Sequence, residues 1–81
     1  MANNLSEMQK KMHLAVGHEV EVRIVGGYKA CVGRCINYTQ PLDNDPEVAS
    51  IDIAVPNRFS DTGRSVYEII EDEIESITIL D

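Results

Sequence analysis

The chain has no tryptophan, one phenylalanine and three tyrosines in 81 residues, so aromatic packing carries little of any core. Positive charge is also scarce: seven Lys and Arg face fourteen Asp and Glu, a net charge of −7. That balance argues against a broad phosphate-binding face, which is built from clustered Lys and Arg. Two cysteines are too few for a disulfide framework or a Cys-rich zinc site. No apolar run approaches the roughly 18 residues of a membrane span, and no apolar stretch follows a basic start. The expectation is one small domain, cytoplasmic, with no membrane role.

The charge that is present is uneven. Residues 1–30 hold four basic against three acidic side chains, whereas residues 31–81 hold three against eleven. Near the C-terminus Glu68, Glu71, Asp72, Glu73, Glu75 and Asp81 have no basic neighbour in sequence. Such a run reads either as a solvated edge that maintains solubility or as a surface for a basic partner.

Periodicity divides the chain at Gly17. Before it, Asn4 followed by Glu7 predicts a capping box, and Leu5, Met8, Met12 and Val16 recur at helical spacing. A short helix is expected within residues 1–16, ended by Gly17. Beyond it the period is two. Val20, Val22 and Ile24 alternate with Glu19, Glu21 and Arg23, and Gly26-Gly27 supplies a turn. A long second strand follows from Tyr28 to Tyr38, in which Gly33 predicts a bulge or bend. Ala49 to Val55, Val66 to Ile70 and Ile74 to Leu80 make three more, the last two separated by the acidic corner Glu71-Asp72-Glu73. One helix and five strands predict a mainly β fold, a strongly bent antiparallel barrel over residues 17–81.

This order of elements resembles the Sm and Sm-like (LSm) family, an SH3-like small barrel. Gly33, Cys35, Tyr38, Thr39, Leu42 and Asp43 fall at the spacings of the first Sm motif, and Val66, Ile69, Ile74 and Ile77 supply the apolar skeleton of the second. The resemblance implies a base-binding pocket at Tyr38, Thr39, Asp43, Ile70 and Glu71, but the polar groups differ. Thr39 replaces the family's Asp, Asp43 its Asn, and Ile70-Glu71 its Arg-Gly. In bacterial Sm-like host-factor proteins this corner carries Lys-His, which aligns with Glu71-Asp72. A carboxylate beside a phosphate opposes binding. The closing pattern Asp72, Ile74, Ser76, Ile77 is similar to that of acidic Rof-like proteins, which inhibit the terminator Rho by binding it. The family also implies rings joined through the fourth and fifth strands, with Ile69, Ile77 and Ile79 as the apolar part.

Other chemistry finds little support in the spacing. Cys31 and Cys35 on an extended strand lie roughly 13 Å apart, beyond the reach of about 7 Å that a disulfide tolerates. They read as small buried thiols. His13 and His18 have no ligand partner at a typical spacing, and Asp43 to Glu47 lacks the glycine and distant Glu of a calcium loop. No serine sits in a nucleophile elbow. No metal, cofactor or enzymatic activity is expected. Tyr38 and Tyr67 read as packing residues, while Phe59, beside Arg58 in a polar loop, reads as an exposed contact.

The expectation is a non-enzymatic Sm-like interaction module, with Glu71, Asp72, Glu73, Glu75, Arg58 and Phe59 meeting a protein partner. The alternative is an RNA-binding Sm-like homo-oligomer that uses Arg23, Lys29, Arg34, Arg58 and Arg64 on another face. A subunit of a larger assembly is the third reading.

Overall fold

The computed structural model describes residues 6–27, 30–43 and 48–81. Asn4, Leu5, Tyr28, Lys29 and the loop 44–47 lie outside the described residues, as does the side chain of Asp43.

Helix α1 (Glu7–Ala15) starts later than the Asn4–Glu7 pattern predicts. Ser6 is its cap: the Ser6 hydroxyl accepts from Gln9 N at 3.0 Å, and Gln9 Oε1 accepts from Ser6 N at 3.2 Å. Glu7 is therefore the first helical residue rather than the reciprocal member of the box. The buried stripe is Met12 and Ala15, with Met8 partly buried against the same core. Val16 drops out because it already has extended backbone, and Gly17 then turns the chain at φ +91°. No helix among the described residues is long and apolar enough to cross a membrane.

The strands are β1 (Glu19–Ile24), β2 (Cys31–Thr39), β3 (Ser50–Pro56), β4 (Arg64–Ile70) and β5 (Ile74–Ile79). They form one antiparallel sheet in the order β4-β3-β2-β1-β5. The alternation read from residues 19–24 holds, with Val20 and Val22 buried. Ile51 and Ile53 of β3 join them, with Cys35, Ile69, Ile74 and helix residues Met12 and Ala15, in a single core. The helix covers this core from the side of β5 and β2.

Two expectations change. The sheet is not closed: among the described residues β4 pairs only with β3, and β5 only with β1, so these two strands are its edges. They are joined by a 3-10 turn, Glu71–Glu73, whose backbone is held by other segments. Glu71 N donates to Ala49 O, and Val25 N donates to Glu73 O, both at 2.8 Å. The edges thus approach each other at that corner without forming a ladder.

The second change concerns Gly33. The break in register lies between Cys35 and Asn37, not at the glycine. Gly33 is required for a different reason: a Cβ there would run into the backbone carbonyl of Ala54 and lie 3.0 Å from Ile53 Cγ2. At Arg34 the strand exchanges partners, pairing with β1 through Cys31–Arg34 and with β3 through Arg34–Thr39.

Candidate functional site

The acidic corner is real, but its first member is occupied. Glu71 Oε2 accepts from Ser6 Oγ at 2.8 Å and Oε1 accepts from Gln9 Nε2 at 2.9 Å. The carboxylate thus grips both residues of the helix cap and lies at the positive end of the helix dipole. Asp72, Glu73 and Glu75 remain exposed, with no ion pair among the described residues.

The residues of the degenerate base pocket are partly assembled. Thr39 pairs with Ser50, and Ser50 with Ile70, so Thr39 and Ile70 flank one residue in a single row across β2, β3 and β4. Tyr38 lies one position along and is taken up by the helix. Its ring meets His13 edge-on, with centroids 5.2 Å apart and planes at 69°. The Tyr38 hydroxyl is buried and has no hydrogen-bond partner among the described residues. Burial, and then the charge of Glu71, push its ionisation up.

At the other end of the β3–β4 hairpin, Phe59 is 86% exposed. The loop that carries it is braced. Asn57 N donates to Gly63 O at 2.9 Å, Phe59 N to Asn57 Oδ1 at 3.0 Å, and Ser60 Oγ to Arg64 O at 2.7 Å. Asn57 Nδ2 also donates to Ser65 Oγ at 2.7 Å. Arg58 lies over the Phe59 ring with its guanidinium carbon 5.1 Å from the centroid. Such a fixed aromatic loses little conformational entropy on binding.

Two of the other arginines, Arg34 and Arg23, meet groups of the same molecule. Arg34 donates to Gly17 O at 2.6 Å and meets Glu19 at 3.3 Å, while Arg23 lies 3.9 Å from Glu21. Arg58 and Arg64 alone, among the described arginines, have no carboxylate partner.

An open, mainly apolar groove of about 470 Å³ is lined by Ile24, Cys31, Val55, Tyr67, Glu68 and Ile69; the Glu68 carboxylate itself turns to Ser50 Oγ, 3.0 Å away. Cys31 is half-buried there, Cys35 is buried, and both are free thiols whose ionisation burial pushes up. Tyr67, read as a packing residue, pairs across the strands with Ile53 but is 52% exposed, so it is not a core residue among the described residues. Ile69 and Ile79, grouped as interface residues from the sequence, separate: Ile69 is in the core and Ile79 is exposed.

Three serine hydroxyls are engaged as donors, Ser6 to Glu71, Ser50 to Glu68 and Ser60 to Arg64 O. No group of three or more His, Cys, Asp or Glu could hold a metal among the described residues. Two features escaped sequence reading. The Ser6-x-x-Gln9 box was visible as a motif, whereas the pairing of His18 Nδ1 with Asp81 Oδ1 at 3.0 Å spans too much chain to leave a local signal. No family model matches this chain, and no curated protein or solved structure matches it either.

Proposed function

We propose that this chain is a non-enzymatic, Sm-like interaction module that binds a basic segment of a protein partner at the corner between β4 and β5. The observation that carries the reading is the set Asp72, Glu73 and Glu75, exposed and unpaired among the described residues where two free strand edges approach each other. Carboxylates steer a basic chain to the site, and an unpaired β5 edge offers backbone groups to an extended segment. The strand order, with β4 and β5 outermost, supports the Sm-like reading and its implied assembly through those edges.

Loss of the base-gripping groups weighs in the same direction. Glu71 is bound to the helix, Tyr38 is covered by His13, and Arg34 and Arg23 are paired internally. The decisive experiment titrates a fluorescent Lys/Arg-rich peptide and a labelled single-stranded RNA against the protein at low and high salt. Peptide binding is expected, and is expected to be lost in the triple variant Asp72→Lys, Glu73→Lys, Glu75→Lys. Salt-dependent binding of the RNA with none of the peptide would refute the proposal in favour of the RNA-binding alternative.

A further inference from the structure

Helix α1 and strand β5 run side by side in the same direction. The start of the helix is tied to Glu71, just before β5, and His18, just after the helix, meets Asp81, just past β5. Between the two elements lies a second groove, of about 360 Å³, lined by Lys11, Leu14, Ile77, Thr78 and Ile79. Leu14 is 68% exposed and Ile79 44%, an open apolar floor beside a strand with no neighbour on its outer side among the described residues.

Backbone alternation decides what that edge offers. Leu80 N donates to Glu19 O, and Thr78 stands opposite Glu21, so these positions turn their backbone groups toward β1. An antiparallel ladder alternates, so the N–H and C=O groups of Ile77 and Ile79 point outward. Their side chains stand opposite buried Val22 and Val20 and therefore share the core face of the sheet, the one the helix covers. Charge then orients an added strand. Lys11 is the one charged group lining the groove, has no ion pair among the described residues, and repels a basic side chain there. Asp72, Glu73 and Glu75, at the start of β5, attract one.

We infer that the partner segment held at the acidic corner continues as a further antiparallel strand on β5, seating two apolar side chains at alternate positions in the groove. Because β5 runs from corner to groove, the segment runs from groove to corner, and its apolar residues precede its lysines or arginines. Backbone pairing supplies affinity and the alternate side chains supply selectivity. This rests on the corner reading proposed above and names the sequence pattern that the corner selects.

Fluorescence anisotropy with two labelled peptides tests it. One has valine at its second and fourth positions and lysine at its sixth to eighth; the reference has the same lysines with serine for both valines. The valine peptide is expected to bind at least about tenfold more tightly, the effect of partly burying two branched side chains. In Leu14→Ser, an exposed position at which the fold is retained, the ratio of the two affinities should fall toward one. Methylating the amide nitrogen of either valine should weaken binding, while methylating that of the residue between them, which a parallel strand would need, should not. Equal affinities for the two peptides, a ratio that Leu14→Ser leaves intact, or loss of binding on methylation between the valines alone would each overturn the inference and leave the corner standing. Failure of the reference peptide to bind would bring down the corner reading, and this inference with it.

Discussion

Replacing Glu71 by alanine removes both acceptors that hold the start of the helix, at 2.8 Å from Ser6 and 2.9 Å from Gln9. A net contribution near 1 kcal/mol per bond is typical. The Ser6 contact is exposed, so solvent screening keeps the sum at about 1–2 kcal/mol. At roughly 6 °C per kcal/mol for a domain of this size, the melting temperature should fall by roughly 6–12 °C. Thermal melts followed by far-ultraviolet circular dichroism give the magnitude, and amide exchange at Lys10 to Met12 locates it in the helix. A second readout is independent of stability. Glu71 helps to push the ionisation of Tyr38 up, so spectrophotometric titration of the variant should show Tyr38 ionising at lower pH. An unchanged melting temperature together with unchanged helix exchange would refute the account of Glu71 as the helix anchor.

Tyr38→Phe removes a buried hydroxyl with no partner among the described residues and should stabilise the fold by about 1 kcal/mol in urea titration, where loss of a satisfied hydroxyl would destabilise it. Gly33→Ala should destabilise by about 1–3 kcal/mol in the same assay, because the new Cβ meets backbone rather than a side chain that can turn aside. In acid, Asp81 should lose a stabilising role: backbone hydrogen bonding to Glu19 N and the contact with His18 hold its carboxyl below the usual range. Its contribution is complete above the unfolded value and disappears as pH falls through the folded one, so acid melts of Asp81→Asn should be flatter than those of the parent. In alkali the sign reverses for Cys31, Cys35 and Tyr38. Burial raises all three, and the stability held by their neutral forms should decline as pH climbs through their ionisation range.

Strand positions were legible because a period of two assigns each side chain to a face locally. Val20, Val22, Ile51 and Ile53 are buried as their alternation implies. The acidic corner was legible too, since Glu71-Asp72-Glu73 lacks apolar residues between two apolar runs. Pairwise geometry over long separations was not. Nothing beside Glu71 signals that it grips Ser6 and Gln9, more than sixty positions away. Closure failed for the same reason: alternation marks β4 and β5 as strands but does not say whether they meet. Gly33 shows the ambiguity of a single residue type. Absence of a side chain suits a bulge and a close backbone approach equally, and here the approach of Ala54 decides.

The exchange of partners at Arg34 bears on how this chain tolerates changes in length. An insertion within Cys31–Thr39 would displace side chains against two neighbours at once, inverting inward and outward residues on both sides of the junction. The segment after Pro56 answers to a single hairpin, so extra residues there disturb one turn and leave both ladders of the central strand in step. Natural variation in length should therefore collect between β3 and β4 and spare β2.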